Sequence, residues 1–84
     1  MQYKKAINKE KIEKIRNALN KVLIDFGYFV ITTKDLTIIY GENYKINDKA
    51  KEPFVLVYDK NNKIYANIKI ESIIYISPLD FNFK

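Results

Sequence analysis

The chain has 84 residues, 48% hydrophobic and 30% charged, a composition that predicts a single small folded domain spanning residues 1–84. It contains no cysteine and no histidine, which excludes disulfides, thiolate metal sites and the usual neutral-pH general base. The net charge of +5 lies in residues 1–21, where seven basic side chains accompany two acidic ones, while residues 22–84 hold eight of each.

The first predicted element is an α-helix over residues 8–26. Asn8 is the expected N-cap, and Gly27 lies where a left-handed residue ends a helix. The basic residues are distributed around this helix, which favours a solvated surface over the alternative of a nucleic-acid-binding helix. Apolar residues at helical spacing form the predicted core stripe: Ile12, Ile15, Leu19, Val22, Leu23 and Phe26.

After Gly27 the apolar period changes from 3.6 residues to two, which indicates strands. Tyr28–Thr33 and Leu36–Tyr40 are rich in β-branched and aromatic residues and are predicted to be the first two strands. Polar residues at 33–35 form the turn between them. Residues 41–53 are predicted to be a polar loop, with a short extended segment at 44–46 as an option.

Two strands joined by a five-residue turn are predicted next. Phe54–Tyr58 is apolar on both faces, which is typical of a central strand. Asp59–Lys63 has turn residues, so the strand that follows, Ile64–Ile70, completes a β-hairpin. Its alternation predicts one buried face and one wet face. The buried face is Ile64, Ala66, Ile68 and Ile70, and the wet face is Tyr65, Asn67 and Lys69.

The C-terminal segment contains one more strand and an apolar tail. Glu71 and Ser72 interrupt the pattern, Ile73–Ile76 resumes it, and Pro78 ends it. The tail LDFNFK alternates apolar and polar residues. We expect the tail to fold back over the helix or close a barrel, or else to form an edge strand.

The predicted fold class is α+β, with the N-terminal helix packed on a mainly antiparallel, curved sheet or small barrel of about five strands. The segment PFVLVYDKNNKIYANIKIESI and the overlapping IKIESIIYISP, together residues 53–78, resemble the end of Sm-like small β-barrels of the Hfq and WYL type. The resemblance implies a barrel-like fold that often binds RNA, nucleotides or protein. The nucleotide-contacting signatures and the Trp-Tyr-Leu motif are absent, so no functional residue is carried over.

The residues argue against an enzyme and against a cofactor. A serine or threonine nucleophile would lack a histidine base, and Gly27 and Gly41 cannot form a glycine-rich phosphate loop. The candidate partner-binding residues are Lys60, Lys63, Tyr65 and Lys69 on the hairpin. Tyrosine and lysine together could stack a base and hold its phosphate, tyrosine could anchor a protein interface, or the hairpin could be an ordinary solvated surface.

The leading functional hypothesis is a non-catalytic interaction protein that occupies a surface of one protein partner. Heavy use of Ile, Lys, Asn and Tyr indicates AT-rich codons, so a phage or mobile-element inhibitor of a host or defence protein, such as a CRISPR effector, is one form of it. The second hypothesis is an Sm-like RNA-, DNA- or nucleotide-binding module, and the third is a small enzyme. No targeting or membrane segment is predicted, so we expect a cytoplasmic protein, with a homo-oligomer as an option.

Overall fold

The computed structural model describes residues 2–83, with side chains from residue 9 onward. Helix α1 spans Gln2–Phe26 and begins before the predicted start, so Asn8 lies inside the helix and the N-cap prediction is wrong. The predicted end is confirmed. Gly27 has a φ of 80°, and its N–H donates to the carbonyl of Leu23 at 2.8 Å, as a left-handed terminating residue does.

Within residues 2–83, seven strands follow the helix, and two of them arise from segments that the sequence left open. The first of these, β3, lies in the loop predicted at 41–53, and the second, β7, lies in the tail. A one-turn 3-10 helix, Ile70–Ser72, occupies the predicted interruption. The strands are β1 Phe29–Thr33, β2 Ile38–Gly41, β3 Asn43–Asn47, β4 Phe54–Tyr58, β5 Ile64–Lys69, β6 Ile73–Ser77 and β7 Phe81–Asn82.

The strands form two antiparallel sheets, and α1 packs on them, which confirms the α+β class. The four-stranded sheet has the order β2-β1-β6-β7, and the three-stranded sheet has the order β3-β4-β5. The sheets do not close into a barrel, because they are two separate hydrogen-bonded sets in the described chain. No helix within residues 2–83 combines the length and apolarity needed to cross a bilayer.

The chain passes from one sheet to the other at Gly41, the last residue of β2. A Cβ atom placed there would lie 2.6 Å from the ring of Phe29 and would also collide with Val57. Only Glu42 separates β2 from β3, and its N–H donates to the carbonyl of Tyr58 at 3.0 Å. Glycine is therefore required at this crossing because the two sheets meet without room for a side chain.

The core lies between α1 and the inner faces of the two sheets. Four of the six predicted helix residues are fully buried, and Leu23 is partly buried. The prediction for Phe26 is wrong, because this side chain is 46% exposed. The buried core residues are Ile12, Ile15, Ala18, Leu19, Val22, Phe29, Ile31, Val55, Val57, Ile68, Ile70, Ile73 and Ile76.

The predicted hairpin of β4 and β5 is confirmed, with β4 at the centre of its sheet. Ile68 and Ile70 are buried, whereas Tyr65 and Lys69 point outward, as the alternation predicts. The prediction that Ile64 is buried is wrong, because its side chain is 64% exposed. A β-bulge is the cause: the register shifts beside Tyr58, and the extra residue puts Ile64 out of phase with the inward positions.

The tail satisfies both of its predicted alternatives at once. Leu79, Phe81 and Phe83 pack against the core, and Phe81–Asn82 also pairs with β6 as a two-residue edge strand. The N–H of Phe83 donates to the carbonyl of Ile74 at 2.8 Å, which fixes the tail to β6.

Candidate functional site

The predicted partner-binding residues lie on one hairpin, but the structure does not bring all of them together. Lys60 and Lys63 are exposed in the loop, and Tyr65 is 65% exposed at the adjacent end of β5. Lys69 lies at the opposite end of the strand, about 13 Å away at ~3.3 Å per residue. Its Nζ atom is 3.1 Å from a carboxylate oxygen of Glu52. Lys69 therefore belongs to a separate surface ion pair.

The hairpin tip is a preorganised turn with mixed charge. The side chain of Asp59 accepts hydrogen bonds from the N–H groups of Asn61 at 2.8 Å and Lys63 at 3.0 Å. The backbone N–H of Lys60 donates to the carboxylate of Glu42 at 3.2 Å. Two carboxylates thus lie at the tip that carries Lys60 and Lys63, which reduces the positive potential there.

A second exposed surface was missed by the sequence reasoning. It is formed by Phe26, Tyr28, Leu36, Ile38 and Tyr40, and we call it the β1–β2 face. Leu36 is 73% exposed and Ile38 is 70% exposed, while Tyr40 and Phe26 are about half exposed. This face lies on the hairpin of the four-stranded sheet and at the end of α1.

Aromatic stacking and strand register place these side chains side by side. The rings of Tyr28 and Tyr40 stack with centroids 5.3 Å apart, and Phe26 meets Tyr28 edge-on at 6.5 Å. In the β1–β2 pair, Tyr40 lies opposite Val30 and Ile38 lies opposite Thr32, both outward positions. Neither β1 nor β2 contains a charged residue, and the charged residues Lys34 and Asp35 lie in the turn beside Leu36.

This face stays exposed because it is the outer face of the four-stranded sheet, whose inner face packs on the core. The sequence LTIIYG is apolar on both faces, which by itself predicts a covered central strand. In the structure Ile39 is partly buried against the core, while Ile38 and Tyr40 point outward. Apolar residues on both faces of an edge strand are the signal that could have identified the surface.

Polar contacts of Tyr44 fix β3 to α1. The hydroxyl of Tyr44 donates to the side-chain oxygen of Asn20 and lies 3.4 Å from the carbonyl of Arg16. Burial raises the pKa of Tyr44, and the nearby Arg16 charge opposes that shift. These contacts serve the fold, because the ring of Tyr44 also packs edge-on against Phe29 at 6.3 Å.

A further cationic group is partly desolvated near the 3-10 turn. Burial lowers the pKa of Lys11, and the neighbouring charge of Lys34 lowers it further, while Glu71 opposes the shift. The Nζ atom of Lys11 donates to the backbone carbonyl of Glu71 at 3.2 Å. This lysine therefore joins α1 to the turn before β6.

Within residues 2–83, no group of three or more Asp, Glu, His or Cys side chains is placed to hold a metal ion. No protein-family model, curated protein or solved structure matches the chain. The resemblance of residues 53–78 to Sm-like barrels therefore stays a prediction.

Proposed function

We propose that this chain is a non-catalytic interaction protein that occupies a surface of one protein partner through the β1–β2 face. The observation that carries the proposal is the exposure of Leu36, Ile38 and Tyr40 on a hairpin whose two strands contain no charged residue. Tyrosine is among the residues that most often anchor protein interfaces, and aromatic residues as a class are enriched there. The absence of lysine and arginine from both strands favours a protein surface over a phosphate backbone.

The conformation of Leu36 supports the same proposal. Its φ of 65° lies in the left-handed region, which is unfavourable for a bulky side chain. Strained residues of this kind concentrate at functional sites. The side chain of Leu36 gains little burial in return, since it is 73% exposed. A contact with a partner would give this residue a role that the isolated fold does not.

The finer proposal concerns the partner. We extend the hypothesis to a phage or mobile-element protein that inhibits a host or defence protein, such as a CRISPR effector. Small size and AT-rich residue usage support this extension. The gene neighbourhood tests it: flanking phage genes agree with it, and flanking ribosomal or RNA-processing genes contradict it.

The binding experiment compares two matched double variants. Ile38→Thr with Tyr40→Thr alters the β1–β2 face, and Ile64→Thr with Tyr65→Thr alters equally exposed residues on the other hairpin. Threonine keeps β propensity in both. We expect stoichiometric capture of one protein from source cells by the wild type and the second variant, and at least tenfold less capture by the first.

Three results would contradict the proposal. If the wild type captures no protein, the chain has no protein partner in the source cell. If both variants capture the partner equally well, the β1–β2 face is not the binding surface. Loss of capture by the Ile64/Tyr65 variant alone would assign binding to the hairpin predicted from sequence.

A second candidate function, nucleic-acid binding, is supported by the tip of the β4–β5 hairpin. Lys60 and Lys63 form no side-chain ion pair within residues 2–83, and Tyr65 is exposed beside them. Lys60→Glu with Lys63→Glu should then abolish a gel shift with mixed RNA and DNA, and affinity should fall steeply with salt. No shift of the wild type at low salt would exclude this function.

A further inference from the structure

A cleft of about 620 Å³ lies between α1 and the loop that joins β3 to β4. Its volume is within the range of small-molecule sites, which is ~300–1,000 Å³. It is separate from the β1–β2 face and from the β4–β5 hairpin tip. The lining residues are Lys9, Ile12, Glu13, Asp48, Lys49, Ala50, Lys51 and Pro53.

The cleft has an apolar side and a charged side. Ile12 comes from the buried stripe of α1, and Ala50 and Pro53 are half-buried in the loop. These three side chains offer an apolar surface without a hydrogen-bonding group. The remaining lining residues are all charged. A ligand that fills this cleft must therefore present an apolar part to one side and a charged part to the other.

An ion-pair bridge fixes the distance between the two walls. The guanidinium of Arg16 lies 3.5 Å from a carboxylate oxygen of Glu13 on α1 and 3.5 Å from one of Asp48 on the loop. Arg16 thus joins the helix to the first residue of the loop. Both acidic residues that line the cleft are engaged with this one arginine.

The loop is also held by its own backbone hydrogen bonds. The side-chain oxygen of Asn47 accepts from the N–H groups of Lys49 and Ala50, both at 3.1 Å. At the other end of the loop, the carbonyl of Pro53 accepts from the N–H of Ile70 at 3.0 Å. The cleft is therefore formed before any ligand binds, which reduces the entropic cost of binding.

The acidic residues around the cleft are paired, whereas three lysines are not. Besides the two bound to Arg16, Glu10 pairs with Lys14 at 3.5 Å and Glu52 pairs with Lys69 at 3.1 Å. Lys9, Lys49 and Lys51 line the cleft and form no ion pair in the described part of the chain. Unpaired positive charge beside an apolar surface selects an anion that carries an apolar group.

We propose that this cleft binds a small molecule in which a carboxylate or phosphate is joined to an apolar group. The apolar group packs on Ile12, Ala50 and Pro53, and the anionic group lies among Lys9, Lys49 and Lys51. This site is independent of the proposed protein-binding face, because the two share no residue.

Four probes test whether binding requires both the apolar group and the anionic group. Each is titrated into the protein, and binding is followed by amide NMR shifts. Octanoate and octyl phosphate carry both halves, 1-octanol carries only the apolar half, and inorganic phosphate only the charge. We expect saturable shifts at 9–13 and 48–53 for the first two probes. The other two should bind at least tenfold more weakly. The ratio of octanoate to octyl phosphate affinity identifies the preferred head group.

Two double variants with the same change in net charge supply the control. Lys49→Glu with Lys51→Glu should lower octanoate affinity about tenfold, as expected for removing and reversing two partly exposed ion pairs. Lys60→Glu with Lys63→Glu changes unpaired lysines of the hairpin tip and should leave the affinity within twofold. Ala50→Trp, which fills the cleft without altering charge, should also reduce binding.

Several outcomes would overturn the proposal. The first is the absence of saturable shifts with octanoate, and the second is a set of shifts centred on Ile38 and Tyr40. The third is an equal loss of octanoate affinity in the two lysine variants, which would mean that the effect comes from net charge alone. Amide spectra of each variant check that it is folded. Partner capture by the β1–β2 face does not depend on any of these results, so the two proposals fail separately.

Discussion

The β1–β2 hairpin and the β4–β5 hairpin have the same turn geometry but different residues at its critical position. Each turn has three loop residues, and the third is left-handed: Leu36, with a φ of 65°, in one and Asn62, with a φ of 63°, in the other. Asparagine tolerates this region because its short polar side chain bonds locally, whereas a bulky residue is unfavourable there by ~1–2 kcal/mol.

The hydrogen bonds confirm that the two turns are equivalent. Leu36 N–H donates to the carbonyl of Thr33 at 2.8 Å, and Asn62 N–H donates to that of Asp59 at 3.0 Å. The residues that flank the loops pair identically, Thr33 with Thr37 and Asp59 with Lys63, both at 3.0 Å. The pattern is that of a type I turn followed by a left-handed residue.

The difference separates what the fold requires from what it does not. Asn62 suits its turn, and the hairpin around it needs no further explanation. Leu36 is unfavourable in its turn and its side chain remains exposed, so the fold gains little from leucine at this position. The β1–β2 hairpin must then be stabilised elsewhere, and the buried contact at Gly41 is where its last strand meets the core.

The largest expected effect on stability tests whether the close contact at Gly41 stabilises the fold. Gly41→Ala places a methyl group against Phe29 and Val57, and overpacking of this kind costs ~2–3 kcal/mol in the free energy of unfolding. Urea unfolding followed by circular dichroism measures the loss. Gly27→Ala is the comparison, because no atom lies within 4 Å of a Cβ there and the cost is only that of the left-handed backbone. Equal effects at both glycines would contradict the contact at the sheet crossing.

The second prediction exchanges the residues that distinguish the two turns. Leu36→Asn should raise the free energy of unfolding by ~1 kcal/mol, and Asn62→Leu should lower it by a similar amount. Both positions are exposed, so burial changes little. The urea midpoints of the two variants measure the effect.

The same exchange sharpens the proposed function. Leu36→Asn should weaken partner capture while it stabilises the chain, whereas Asn62→Leu should leave capture unchanged. A stabilised variant that captures the partner as well as the wild type does would mean that Leu36 has no part in binding. If Leu36→Asn destabilises the chain, leucine is not unfavourable in the left-handed conformation at this position.

The sequence predicted the elements well, because helical and strand periods follow directly from which residues are apolar. The β4–β5 hairpin is one example, since the segment Asp59–Lys63 contains residues that favour a turn. The left-handed conformation of Leu36 could not be predicted, because leucine carries no local preference for it. The exposure of Ile64 depends on a one-residue bulge, which alternation alone does not reveal.

The candidate surfaces were harder to predict than the elements. Tyr65 was placed outward correctly, but the pairing of Lys69 with Glu52 depends on a loop whose path the sequence does not specify. The β1–β2 face requires knowing that β2 is an edge strand, and the cleft combines residues 9–13 with 48–53. Such placements follow from tertiary packing, so periodicity cannot supply them.

The smallest effect concerns the carboxylates that support the two turns from different positions. Asp59 is the residue that precedes its three-residue loop, whereas Asp35 lies in the middle of the other loop. Asp35 accepts from the hydroxyl of Thr33 and from the N–H of Thr37 at 3.2 Å. The hydrogen bond from Thr33 is the main reason that the pKa of Asp35 lies below its usual value.

A lowered pKa in the folded state gives a stabilisation that depends on pH in one direction. It is fully present above the unfolded-state pKa of about 3.9 and is lost as pH falls through the lower folded-state pKa of Asp35. Asp35→Asn removes the charge, so the variant should melt below the wild type at pH 7. The two melting temperatures should converge as pH falls below about 4. Thr33→Val, which removes the donor, should show the same convergence, and a gap that is unchanged between pH 7 and pH 2.5 would mean that the charge of Asp35 does not stabilise the turn.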